Sequence, residues 1–129
     1  MTPRPGFICV MVNDMARSLT FYRHLGFEFP PEAYREIHVE LELPGGLKIY
    51  WQRVQFAKLY APDYRPAPHG MVTLGFQVDS AGDVDALFTK LKGLGYKADR
   101  TPWVAPWGTR YVNVYDPDGN LVEIYHPQP

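Results

Sequence analysis

The stretch "FICVMVNDMARSLTFYRHLGF", Phe7 to Phe27, opens on a run of apolar residues and continues with apolar residues at helical spacing. Phe7 to Val12 has the length of one buried strand, and Asn13-Asp14 stops it. Met15, Leu19 and Tyr22 then recur on one side of a helix, and Gly26 is placed to end it. Downstream, Ile37, Val39, Leu41 and Leu43 alternate with Glu36, His38, Glu40 and Glu42, the period of a strand with one polar face. "PGG" at 44–46 makes a turn, and "LKIYW" at 47–51 reads as the next strand.

The second half runs through the same order. "MVTLGFQVD" is a strand, and "DVDALFTKLKGLGY" a helix with Asp83 as its N-cap and Val84, Leu87, Phe88, Leu91 and Leu94 as its apolar stripe. "TRYVNVY" is a strand, "DPDG" a turn and "NLVEIY" the last strand. Val12 registers with Val78, Leu25-Gly26-Phe27 with Leu94-Gly95-Tyr96, Pro44 with Pro117, Gly46 with Gly119 and Tyr50 with Glu123. The offset between copies grows steadily along the chain, as loop insertions in two copies of one β-α-β-β-β unit would make it. The expected organisation is one α+β domain over 1–129, with module one at about 6–52, a linker at 53–70 and module two at about 71–127. One helix covers one face of each sheet, so the expected arrangement sets the two bare faces around a curved, barrel-like cleft.

Two segments carry a resemblance that covers nearly the whole chain, from about Phe7 to His126. "VNDMARSLTFYRHLGF" and "PWGTRYVNVYDPDGNLVEIY" resemble the paired signatures of the vicinal oxygen chelate superfamily. That superfamily includes glyoxalase I, extradiol dioxygenases, fosfomycin resistance enzymes and bleomycin resistance proteins. Its metal enzymes place a His, Gln or Glu on the first and last strands of each module, which here fall on Phe7, Tyr50, Thr73 and Glu123. A phenyl ring has no lone pair, and Tyr and Thr hydroxyls are poor ligands, so one carboxylate remains where three or four ligands are needed. The expectation is therefore no metal and no cofactor, nearest the metal-free, bleomycin-resistance-like branch. The resemblance also implies a homodimer.

Strand alternation sorts the side chains. Phe7, Cys9 and Met11, Gly75 and Gln77, and Leu121, Glu123 and Tyr125 share the bare faces with Tyr111, Asn113 and Tyr115. Glu123 either hydrogen-bonds a neighbouring tyrosine or meets a ligand; His38 either faces solvent or touches one. His38 with Glu40 or Glu123 would make an acid-base pair if they meet. Cys9 reads as an apolar filler rather than a nucleophile, and Arg110 either pairs with an acidic residue structurally or clamps an anionic ligand. Trp103 and Trp107 sit in a proline-flanked loop and, with Tyr60 and Tyr64 of the linker, read as a groove or lid for planar molecules. The aspartates of "DPDG" belong to the turn.

Bulk properties agree. Aromatic residues make up 15% of the chain, more than packing alone asks for. A net charge of −1 leaves no basic stripe for nucleic acid. Cys9 is the only cysteine, so no internal disulfide forms and a reducing cytoplasm is expected. The apolar run at Phe7–Val12 is too short for a signal-peptide core or a membrane span. Two readings follow: a metal-independent protein that sequesters a planar or amphipathic compound such as an antibiotic, or a lyase, isomerase or dioxygenase of the same fold. The blander rival is an interaction module whose aromatics build a dimer interface.

Overall fold

The computed structural model describes residues 1–2, 4–67 and 70–127, so Pro68 and His69 of the expected linker, with Pro3, Gln128 and Pro129, lie outside the described residues. The chain divides into two units, Met1–Pro66 and Ala67–Pro129. Each combines a small sheet with helices, the expected α+β class.

In the first unit, strand β1 (Phe7–Val12) leads into helix α1 (Met15–Arg23). Asp14 starts the helix by accepting the Arg17 N–H at 3.0 Å. Strands β2 (His38–Glu42) and β3 (Lys48–Arg53) follow, and then a single helical turn, α2 (Val54–Ala57). The sheet order is β1-β3-β2, with β1 parallel and β2 antiparallel to β3. A parallel pair needs a crossover, which α1 supplies. Val10, Val12, Met15, Leu19, Tyr22, Ile49 and Trp51 are buried. Trp51 is ringed by Tyr22, Phe27 and Phe29 at centroid distances of 5.3, 5.5 and 5.1 Å, so this tryptophan belongs to the core.

The second unit runs β4 (Thr73–Gln77), α3 (Ala81–Gly93), β5 (Trp103–Val104), β6 (Arg110–Tyr115) and β7 (Leu121–His126). Its sheet order is β4-β7-β6-β5, and again only the first strand is parallel to its neighbour. Val112, Val114, Val122 and Ile124 are buried on the helix side with Val84 and Leu91.

The repeat is visible in how the helices stop. Gly26 (φ 105) and Gly95 (φ 94) both take the left-handed conformation. The Phe27 N–H reaches the Tyr22 carbonyl at 3.3 Å, and the Tyr96 N–H reaches the Leu91 carbonyl at 3.1 Å. Leu-Gly-Phe and Leu-Gly-Tyr are thus one helix stop used twice.

Several expectations are corrected. The first unit has three strands among the described residues, not four. Where the second unit places β5, the first has a 3-10 turn, Pro31–Arg35. Pro30 and Pro31 offer no N–H to a ladder, and Pro31 suits the first position of such a turn. Helix α3 is capped by Ser80, whose hydroxyl accepts the Asp83 N–H at 3.1 Å; Asp83 lies inside the first turn, where its charge meets the positive end of the helix. Leu94 is past the last turn and exposed, so the apolar stripe ends at Leu91. Trp103 is in a strand rather than a loop. The start of the expected linker is helical and stacks Phe56 against His38 of β2. Among the described residues no helix is long and apolar enough to cross a membrane.

Candidate functional site

Each unit has one sheet face bare of its own long helix, and nearly every residue singled out above lies on one of those two faces. On the first unit, the strand register lines up Phe7 with Lys48, Cys9 with Tyr50 and Glu40, and Met11 with Gln52 and His38. Phe7 and Tyr50 stack at 4.3 Å with planes 13° apart. The His38 ring stands edge-on to Tyr50 at 4.8 Å and parallel to Phe56 at 5.4 Å, and Phe56 meets Tyr60 at 6.3 Å. A continuous aromatic run therefore crosses the face from β1 to α2.

A polar chain threads this run. His38 Nε2 lies 2.9 Å from Glu40 Oε2, and His38 Nδ1 lies 2.9 Å from Gln52 Oε1. The Gln52 amide donates to the Tyr60 hydroxyl and, at 3.8 Å, to Met11 Sδ. Gln52 is only 3% exposed, so its amide depends on these partners. Lys48 Nζ is 3.8 Å from Glu40 Oε1, too far and too exposed to contribute much. Both nitrogens of His38 are occupied, which holds the ring rigidly and leaves neither lone pair nor N–H directed at a substrate. Burial pushes the Cys9 thiol up to about 11, in keeping with an apolar filler. Burial also raises Tyr64, with Cys9 and Tyr60 adding to the effect, so its phenol stays neutral beside them.

On the second unit the rows are Thr73–Leu121–Tyr115, Gly75–Glu123–Asn113 and Gln77–Tyr125–Tyr111–Trp103. Trp103, Trp107 and Tyr111 form a triangle of rings with centroids 6.3, 5.6 and 6.0 Å apart. Gly108, at φ 94, turns the chain so that Trp107 returns over the strand that holds Tyr111. Trp107 remains 67% exposed. The Arg100 guanidinium lies 3.9 Å from the Trp103 ring centre. Tyr115 is held at the edge, its hydroxyl donating to Asp99 and Lys97 lying 5.0 Å over its ring; that hydrogen bond raises its pKa. Arg110 points to the helix side and grips Asp85 at 2.7 and 3.3 Å, the structural one of its two readings. Among the described residues the Glu123 carboxylate has no hydrogen-bond or ion-pair partner, so no tyrosine satisfies it.

The turn after β6 keeps these rows in register. Asp116 accepts the N–H groups of Asp118 and Asn120, each at 2.9 Å, and the Asn120 side-chain amide at 3.0 Å. Asn120 Oδ1 accepts the Val72 N–H at 3.3 Å, tying the approach to β4 to the turn before β7. The Asp116 carboxylate is thus consumed by the turn.

The donors at the four positions where the resemblance would place metal ligands do not suit a divalent ion. Phe7 and Tyr50 are stacked on one another, Thr73 offers a hydroxyl, and Glu123 alone offers a charge. Among the described residues no group of three His, Cys, Asp or Glu side chains could hold an ion. Sequence reasoning missed Gln52, Phe56 and Arg100. Gln52 continues the alternation of Tyr50 one step further, but that strand was expected to stop at Trp51. Phe56 and Arg100 carry no local signal, since each acts through a ring brought to it by folding.

The family profile described as "Glyoxalase/Bleomycin resistance protein/Dioxygenase superfamily" matches residues 4–124. No curated protein matches the chain. Among solved structures, a glyoxalase-related enzyme from Fulvimarina pelagi superposes with a TM-score of 0.76 at 21% identity, over 97% of this chain and 88% of that one. A hypothetical protein from S. aureus gives 0.75 at 21% identity over 98% and 94%. A glyoxalase/bleomycin resistance protein/dioxygenase family enzyme from Burkholderia phytofirmans gives 0.73 at 18% over 94% and 96%. At such identities the likeness is one of fold. The profile match over almost the whole sequence, with the two βα-crossover units that carry it, makes this chain a member of the glyoxalase/bleomycin resistance protein/dioxygenase superfamily.

Proposed function

We propose that this protein binds a planar, aromatic small molecule by stacking and holds it without covalent turnover. The observation that carries the reading is the Trp103–Trp107–Tyr111 cluster, in which a tryptophan two-thirds exposed is braced by two other rings. An exposed large ring forgoes burial worth about 2 kcal/mol, so its fixed presentation suits a partner that covers it. The run Phe7–Tyr50–His38–Phe56–Tyr60 gives the first unit a comparable surface, with Tyr64 close by. An antibiotic is one compound of the required kind, as in the bleomycin-resistance-like branch, and the working form under this reading is a cytoplasmic homodimer.

The rival reading is an acid-base enzyme, and the contact between His38 and Glu40 speaks for it. Against it, the second nitrogen of His38 is held by Gln52, which leaves His38 without a free nitrogen to act as the base. The test is fluorescence titration with acridone, a neutral planar compound, followed by chromatography of the recovered compound. Saturable quenching that falls tenfold or more in affinity in Trp107→Ala, with acridone returned unchanged, is the expected result. Wild-type fluorescence that acridone leaves untouched would overturn the proposal.

A further inference from the structure

The strongest unexplained group is Glu123. It is half-buried in the middle of β7, and the unit's nearby cations are engaged elsewhere. Arg110 is on the opposite face with Asp85, Lys97 lies over Tyr115, and Arg100 lies over Trp103. Beside Glu123 in the same row, the Asn113 side chain is also without a hydrogen-bond partner among the described residues. A partly desolvated carboxylate beside a partly desolvated amide is costly unless something else supplies donors.

The other neighbour of Glu123 in that row is Gly75. Its backbone is not in the left-handed region, so the conformation does not require glycine. An added Cβ would meet only Tyr125 Cε1, at 3.5 Å, an ordinary contact. A glycine in mid-strand weakens the strand, and its usual reason is the close approach of another group. Here the group that comes close is the ring of Tyr125, which lies over Gly75 beside Glu123.

Rings adjoin the carboxylate. Tyr125 and Tyr111 lie one row further along the sheet, and Trp103 lies next to Tyr111. Diagonal neighbours on a sheet face are ~7–8 Å apart, so a fused-ring molecule stacked on Tyr111 and Trp107 reaches Glu123 with its edge. An aromatic face and a carboxylate both favour positive charge. Trp103 already takes a cation, the chain's own Arg100, which leaves Trp107 and Tyr111 for the ligand.

We propose that the molecule bound here is a planar cation: its rings lie on Trp107 and Tyr111, and a charged N–H at its edge donates to Glu123, beside Asn113. The inference rests on the stacking function proposed above and adds the charge of the ligand. Calorimetric titration of the full chain with three fused-ring compounds tests it: proflavine (cationic), acridone (neutral) and acridine carboxylate (anionic). The expected order places proflavine at least tenfold tighter than acridone, with the carboxylate weakest. Glu123→Gln, which keeps the shape, should erase the preference for proflavine and leave acridone within twofold. Acridone or the carboxylate binding as tightly as proflavine overturns the inference while leaving the stacking function standing. No binding of any of the three overturns both.

Discussion

Replacing Asp116 with alanine tests how the rows of the second unit are kept in register. Asp116 and Asn120 are 4% and 5% exposed, so the bonds between them are made away from water. The change removes the acceptor of three hydrogen bonds: two backbone N–H groups and the Asn120 amide. Asp118 is half-buried, so its N–H can turn to water, whereas the two donors of Asn120 cannot. Hydrogen bonds to a charged group contribute ~1.5–3 kcal/mol each, and two stranded donors give a loss of about 3–4 kcal/mol. For a chain of this size that is a fall in Tm of about 10–15 °C. Asp116→Asn keeps one oxygen for the two backbone donors and loses the amide bond, so about half that loss is expected. Thermal unfolding followed by circular dichroism, checked by urea titration, gives both numbers. A wild-type-like Asp116→Ala, within about 0.5 kcal/mol, would refute the claim that this turn locks the sheet.

Other outcomes follow from single contacts. Cys9, with its thiol raised to about 11 from 9.0, should react with iodoacetamide near pH 8 about a hundredfold more slowly than an unperturbed thiol, the rate rising tenfold per pH unit. Because the folded state holds that proton longer, the linked stability is intact below pH 9 and declines towards pH 11, and alkaline unfolding curves of wild type and Cys9→Ala should diverge only there. Gly70→Ala should cost at least about 2 kcal/mol by urea denaturation, since Gly70 has φ +70 and a Cβ there would lie 2.9 Å from the Asn120 backbone nitrogen. Gln52→Leu releases both His38 and Tyr60, so amide exchange at Leu59, Tyr60 and Ala61 should quicken about tenfold while β3 stays protected.

How much of this was legible in the sequence depended on how local each cause was. Leu25-Gly26-Phe27 and Leu94-Gly95-Tyr96 reveal the repeat because a helix stop is decided within a few residues. The alternation of Val112 and Val114 with Tyr111, Asn113 and Tyr115 reveals the two faces because a strand buries every second residue. Arg110 carried two readings, structural pair or anion clamp, and Asp85 holds it in the first. The cap on α3 was misplaced because Ser80 and Asp83 both suit a helix start, and only the chain's direction into the helix chooses between them. The repeat suggested a fourth strand in the first unit, but Pro30 and Pro31 offer no N–H to a ladder, and a 3-10 turn stands there instead. The bond between Gln52 and Tyr60 and the stacking of Phe56 on His38 join separate strand and helix residues, so no short window contains them. Glu123 shows the same limit from the other side: the sequence places the carboxylate on the face, yet its lack of a partner appears only when every neighbour is in position.

The most direct test of the account follows the three indole N–H resonances of the protein while proflavine is added. Trp51 is fully buried in the core of the first unit, whereas Trp103 and Trp107 flank Tyr111 in the ring triangle of the second. Saturable shifts of the Trp103 and Trp107 signals are expected, assigned with Trp→Phe variants, with the Trp51 signal stationary and the midpoint of the Trp107 titration moved to at least tenfold more proflavine in Glu123→Gln. Saturation of the protein with all three signals unmoved, or with Trp51 alone responding, would contradict it.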